Sequence, residues 1–416
     1  MAHAMTDFTE VVRRWKDERG MSLRALARAA PCDPSLLSRI LSGKQRPSGQ
    51  MAAALDNALG AGGQITAAAA QALAKQAPRK DDEITIMLGH RAASDVRAEA
   101  DSLASALTDL GAGGQQEPVT DLDVLAASVD AARMSYQGCR YEELGGDLSG
   151  LLVTLNASCA VLSGDALYRA HALSADAHHV AAGLMLKRSD PGLASLAADR
   201  SMRAALASGD PVAVAASARI VTHALMSGGH LPAAVATATS YATRLDRDLH
   251  GQTPESLSVY GALLLRGAVA AAMADDRHAA AELLAEAEEA SRRLGVDGNY
   301  YWTAFGPVNT AVHRVSIAVT LGDAGTAIDA ARGIDVGVIA VTERKATLLI
   351  DTARALLQRG RHEHAYRALR AAHLAAPEEV TGRAAVRLLV RDLAATAPVS
   401  VRRDASRFAA SIGPVA

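Results

Sequence analysis

Residues 22–47 read SLRALARAAPCDPSLLSRILSGKQRP, and this stretch decides the fold of the first part of the chain. Its apolar spacing predicts two short helices with a sharp break at Ala30-Pro31-Cys32. Ser22 stands where an N-cap belongs, with a hydroxyl able to accept from a first-turn backbone N–H. Leu23, Leu26 and Ala27 then share one face. Asp33-Pro34 restarts the helix, a capping carboxylate followed by a proline at the first helical position, where its missing N–H costs little. Leu37, Ile40 and Leu41 form the inward stripe of the second helix, Ser38 and Arg39 look outward, and Gly43 ends it. Two helices this short are not stable alone, so flanking partners are required. Residues 8–19 supply one, with Phe8, Val11, Val12 and Trp15 on a single face. Residues 48–59 supply the other, capped by Ser48, burying Met51, Leu55 and Leu59, and ending at Gly60.

The order of helix, capped helix, sharp turn, S-L-L-S-R-I helix, G-K-x-R-P-S loop and closing L-x-x-A-L-G helix resembles the Xre/Cro-type helix-turn-helix family over residues 6–62. Two features depart from it: Ala30-Pro31 stands where glycine is common, and Leu41 where a glutamate is common. The resemblance implies a lambda-repressor-like domain whose second motif helix enters the major groove. Carried onto this chain, it puts Pro34, Ser35, Ser38 and Arg39 nearest the bases, with Arg39 suited to paired hydrogen bonds with a guanine. Arg24, Lys44 and Arg46 are then expected on phosphates, beside the helix N-terminus that Ser22 caps. Double-stranded DNA is the implied partner, bound at a palindromic operator by a homodimer.

Charge supports that division. The 416 residues carry a formal charge of −2, but residues 1–80 hold 12 Lys/Arg against 6 Asp/Glu, a net +6. The remainder holds 31 against 39, a net −8. A basic head on an acidic body is expected when only the head meets phosphate. Half the residues are apolar yet only 3% are aromatic, a mix that fills helices better than sheets, so the fold class expected throughout is all-α.

Residues 63–120 read as a helical linker. Within 91–110, Val96, Ala100, Leu103, Leu107 and Leu110 are spaced 4, 3, 4 and 3, an a/d seam about two heptads long. It either packs on its own domain or serves as a dimerisation helix. The glycine-rich run at 111–120 marks the boundary.

From 121 to 416 helices alternate with short breaks, and alternate breaks resemble one another. Ser-Gly-Gly-His-Leu at 227–231, Ala-Asp-Asp-Arg-His at 274–278, Leu-Gly-Asp-Ala-Gly at 321–325 and Gln-Arg-Gly-Arg-His at 358–362 recur at about 37–47 residues. The region resembles a degenerate tetratricopeptide-like α-solenoid, a ligand- or partner-binding domain whose first helices line a concave face. Arg219 and His223, Tyr260 and Arg266, Asn309 and His313, then Arg344, are candidates on that face, as are Tyr168 and His171. The densest group is Tyr300, Tyr301, Trp302 and Phe305, four of thirteen aromatics, leading into Asn309 and His313 at four-residue steps. These six are the candidate ligand-binding residues, as a cleft wall with placed polar groups. The alternative is that the aromatics plug a gap between helix pairs.

Head and body together are similar in architecture to the peptide-sensing regulators of Gram-positive bacteria, and more closely to long actinobacterial Xre-type regulators. That resemblance implies transcription regulation with sensing of a small molecule or signalling peptide. A DNA-tethered scaffold for other proteins is the competing reading. No phosphate-binding glycine loop, nucleophile elbow or metalloprotease helix is present, and His362-Glu363-His364 has the wrong spacing for the last. The expectation is therefore no enzyme, no cofactor and no metal. Three cysteines without ligand spacing, and no long charge-free apolar run, lead to an expected cytoplasmic location with no membrane partner.

Overall fold

The computed structural model describes residues 2–30, 32, 34–42, 49–74, 98, 100–108, 118, 121–249 and 253–413. They belong to two compact units, Met1–Arg91 and Ala92–Ala416, and no strand occurs among the described residues.

The first unit is a five-helix head: α1 (Ala2–Glu18), α2 (Leu23–Ala29), α3 (Pro34–Leu41), α4 (Gly49–Leu59) and α5 (Gln64–Ala74). Phe8 and Val12 of α1, Leu26 and Ala27 of α2, Leu37, Ile40 and Leu41 of α3, and Leu55 and Leu59 of α4 close one apolar core. Val11, Trp15, Leu23 and Met51 are half-buried at its edge. Ser22 caps α2 by accepting from Ala25 N–H at 3.2 Å. The core also takes in Ile65 and Ala69 of α5. Asp56 explains how α5 is held. Its carboxylate accepts from the backbone N–H groups of Gly63 (2.7 Å), Ile65 (2.8 Å) and Thr66 (3.1 Å), acting as a remote cap for the first turn of α5.

The second unit begins with α6 (100–108), whose Leu103 and Leu107 are buried in the body's own core. Ala100 is half-buried, and Val96 and Leu110 of the expected seam lie outside the described residues. Six helix pairs follow. They are α7 (Leu122–Gln137) with α8 (Tyr141–Val161), α9 (Gly164–Lys187) with α10 (Pro191–Ser208), and α11 (Pro211–Ser227) with α12 (Leu231–Leu249). Next come α13 (Pro254–Met273) with α14 (Arg277–Leu294), α15 (Pro307–Thr320) with α16 (Ala324–Arg332), and α17 (Thr342–Gln358) with α18 (His362–Ala375). The short α19 (Pro377–Thr381) leads to a last hairpin, α20 (Ala384–Thr396) and α21 (Val399–Ser411).

One turn recurs through the six pairs. Cys139, Ser189, Gly229, Asp275, Gly322 and Gly360 each take a left-handed φ, between 58° and 78°, immediately after the first helix of a pair. At each, two successive N–H groups bond back into the last helical turn, as in Ser189 N to Leu186 O (3.3 Å) and Asp190 N to Met185 O (2.9 Å). This is a Schellman ending, which satisfies the otherwise unpaired carbonyls and reverses the chain. The similar breaks in the sequence are these turns. At Cys139, Ser189 and Asp275 the same backbone geometry persists without glycine.

Each first helix packs on the next first helix, from α7 through α9, α11, α13 and α15 to α17, and α17 returns to touch α7. The closure is chemical as well as steric. α8 starts without a side-chain cap of its own. Glu378 of α19 supplies one instead, accepting from Tyr141 N–H (2.7 Å) and Glu142 N–H (2.9 Å). By length and composition α8 and α13 could each cross a membrane; most of α13 is buried inside the body.

Candidate functional site

In the head, the elements that would meet DNA are α2 and α3. Leu37, Ile40 and Leu41 turn inward, and Ser38 between them is exposed. The side chains of Arg24, Pro34, Ser35 and Arg39, and residues Lys44 and Arg46, lie outside the described residues. What fixes the C-terminal end of α3 is Arg13 of α1, whose guanidinium donates to the Leu41 carbonyl at 2.6 Å. A cation there both fills an orphan acceptor and opposes the negative end of the helix dipole. Sequence spacing gave no hint of this contact across 28 residues.

Burial alone would raise the Asp56 carboxyl, but the backbone N–H groups of Gly63, Thr66 and Ile65 outweigh it and hold the carboxyl below its ordinary value. Its stabilisation is therefore present above the unfolded carboxylate value near pH 4 and lost as pH falls through the lower folded value. Asp56→Ala is expected to cost about 1–2 kcal/mol, the loss of a strong helix cap, read as a lower urea midpoint of the head.

In the body, the first helices converge on an inner cavity of about 50 Å³. Arg133 and Tyr136 of α7, His179 of α9, Arg219 and His223 of α11, Arg266 of α13 and Glu343 and Arg344 of α17 line it, with Trp302 from the loop before α15. Three carboxylates pair with part of this charge. Asp176 takes Arg133. Glu343 takes Lys187 at 2.8 Å and Arg344 at 3.0 Å. Glu379 takes Lys187 and, at 3.0 Å, Arg383.

Arg219 and Arg266 have no carboxylate partner among the described residues. Arg219 donates to His179 Nε2 at 3.0 Å, which requires a neutral imidazole, since guanidinium has no acceptor. The Nε of Arg219 and the Nδ1 of His179 are buried without a partner. Arg266, half-buried midway along the otherwise deeply buried α13, makes no hydrogen bond or ion pair among the described residues. Burial first, and then the neighbouring Arg266, Arg344 and Arg133 charges, push Arg219 down to about 9; burial and Arg344 push Arg266 down to about 10. Burial also holds His179 and His223 well below the ordinary histidine value. Withdrawing a cation from water without a counter-charge costs several kcal/mol. Arg219 and Arg266 are half-buried and the Glu343 charge reaches Arg266 without pairing with it, so the cost is reduced, but the cavity still favours an added negative charge.

The aromatic group divides among different neighbours. Phe305 is fully buried, and its ring fills the space over Gly261 of α13, where an added Cβ would stand 2.0 Å from Cζ. Gly261→Ala is therefore expected to displace Phe305 and cost about 2–3 kcal/mol by overpacking, seen as a lower melting temperature of the full chain. Tyr301 packs against the buried cluster of Ala175, Ala205, Ala213 and Val214, and Tyr300 is half-buried against Gly298. Trp302 reaches the inner cavity. Tyr301, Trp302 and Ala304 all have φ between 50° and 57°, a left-handed conformation that is costly for bulky side chains. The loop is held in it by Gln137 of α7, whose amide donates to Asn299 Oδ1 and the Trp302 carbonyl, both at 3.1 Å.

Asn309 and His313 are buried on α15, with His313 Nδ1 donating to the Asn309 carbonyl at 2.9 Å. Burial and Arg344 push His313 down to about 3. Asn309 lines a second cavity of about 110 Å³ with Val308, Val312, Ile339, Val341 and Arg344, and its Oδ1 has no partner. The two cavities share Val341 and Arg344 as a common wall. Of the expected concave-face residues, Arg219, His223, Arg266 and Arg344 come together at the first cavity. Tyr260 instead donates to Glu286 at 2.9 Å, and Tyr168 is exposed. Arg133, His179 and Glu343 escaped the sequence reading, because only the closure of α17 onto α7 brings them to one place. Among the described residues no three His, Cys, Asp or Glu side chains gather as a metal site.

Compared with known proteins, residues 7–69 match the family model of a helix-turn-helix domain. No curated protein and no solved structure matches the chain. The head is thus a helix-turn-helix domain, with α2 and α3 as the motif, and the rest of the described chain is a helical solenoid.

Proposed function

We propose that this protein is a sequence-specific DNA-binding transcriptional regulator of the Xre type, dimeric on a palindromic operator. Its tetratricopeptide-like body senses a small ligand and alters what the head does. The observation that carries the first half is the helix-turn-helix head, in which the core positions of α3 are buried and Ser38 on the other face is exposed. That face would enter the major groove, with Arg39 as the base-reading residue and Pro34, Ser35 and Ser38 beside it, while Arg24, Lys44 and Arg46 hold phosphates. The second half is supported by the unpaired cations around a cavity enclosed by five of the six first helices. Regulation does not require the α6 seam for dimerisation, since Leu103 and Leu107 are buried in the body's own core.

Two measurements test the reading. In a nuclease footprint, Arg39→Ala is expected to weaken protection and relax selectivity at one base pair, by about 1–3 kcal/mol. Full affinity and selectivity in that variant would remove Arg39 from the reading face. Native mass spectrometry of the freshly purified chain is expected to show a dimer; a monomer at all concentrations would refute paired half-sites.

A further inference from the structure

We propose that the inner cavity of the solenoid binds a small organic acid, its oxyanion between Arg219 and Arg266 and its apolar part against Val308, Val312 and Ile339. The assignment rests on the sensor reading of the body and names the chemistry of what is sensed.

Four observations carry it. Arg219 and Arg266 face one cavity and lack carboxylate partners, whereas Arg133, Lys187, Arg344 and Arg383 nearby all have one. Arg219 Nε and His179 Nδ1 are buried with no hydrogen-bond partner, so the cavity offers donors that a bound oxyanion can fill. A cavity of about 50 Å³ has room for a few atoms, since one water needs roughly 10–15 Å³. That suits a carboxylate or phosphoryl group and excludes a peptide. Finally, the adjoining cavity is lined by Val308, Val312, Val338 and Ile339, and Asn309 Oδ1 there is left to accept one donor. A molecule reaching past Arg344 from one cavity to the other has a charged end and an apolar end. Guanidinium is the group that pairs with oxyanions through two parallel N–H bonds and does not lose its own charge.

The test uses thermal melts of the full chain with sodium hexanoate, 1-hexanol, inorganic phosphate or sodium chloride at matched ionic strength. Hexanoate is expected to raise the melting temperature by about 2–5 °C over chloride. Hexanol is expected to leave it unchanged. Arg266→Gln and Arg219→Gln remove an unpaired buried charge, so each is expected to melt higher than the parent without ligand and to lose the hexanoate response. A response that survives in both variants, an equal response to hexanol, or no response to any anion overturns the proposal. A response to phosphate with none to hexanoate overturns the apolar half and identifies a phosphoryl head. DNA is absent from these melts, so the sensor reading fails separately: hexanoate that stabilises the protein but leaves DNA affinity unchanged refutes sensing and keeps the site.

Discussion

Glu379→Gln is expected to destabilise the body by about 3–5 kcal/mol, because it leaves buried cations without their counter-charge. Glu379 is fully buried on α19, a helix of five residues that has no stability of its own. One carboxylate oxygen takes both Lys187 Nζ of α9 and the Tyr141 hydroxyl of α8, and the other takes Arg383 at 3.0 Å. Burial would raise this carboxyl, but Lys187 and Arg383 outweigh burial and keep it ionised. Glutamine keeps the size, removes the charge and turns a donor toward one of the cations. The loss should appear as a lower urea midpoint with an unchanged slope. Pairing it with Lys187→Met should recover a substantial part, since the double variant no longer strands the lysine charge. A Glu379→Gln protein within about 1 kcal/mol of the parent would mean that the ring closure at α17–α19 is not held by charge.

The body is also expected to lose stability steeply below pH 6.5. Four histidines are held neutral inside it: His178 is pushed down to about 4 and His313 to about 3, with His179 and His223 well below their ordinary value. Burial is the first cause at each. Because the folded values lie below the unfolded value near 6.5, the unfolded chain binds more protons between them, and stability falls as pH drops. At pH 5 His178 and His313 each take away about 2 kcal/mol, and His179 and His223 act in the same direction. Thermal melts at pH 7.5, 6 and 5 should show the body transition moving down, and His313→Gln should flatten part of the fall. A melting temperature constant from pH 7 to pH 5 would contradict neutral burial of these rings.

How much of this was legible in the residues follows from which forces are local. The caps, apolar spacing and breaks of residues 22–47 are local, and Ser22, Leu26, Leu37 and Ile40 stand in α2 and α3 as their spacing requires. The place of α5 in the head was not legible, because among its alanines only Ile65 and Ala69 enter the core and the rest of the anchoring is Asp56 reaching forward to three N–H groups. In the solenoid the breaks were legible, Ala-Asp-Asp-Arg-His at 274–278 among them, but the left-handed backbone at Cys139, Ser189 and Asp275 was not, because no glycine marks it. Arg266 shows the limit best. In sequence it is one cation within an apolar helix, and only the packing of five first helices around it makes its isolation visible.

The central claim is that the head reads a DNA sequence, and selection from a random duplex library with the full-length chain tests it most directly. The account predicts enrichment of one palindromic motif, its half-sites about one helical turn apart, and loss of that enrichment with Arg39→Ala. Recovery of DNA with the same sequence composition as the starting library would contradict it.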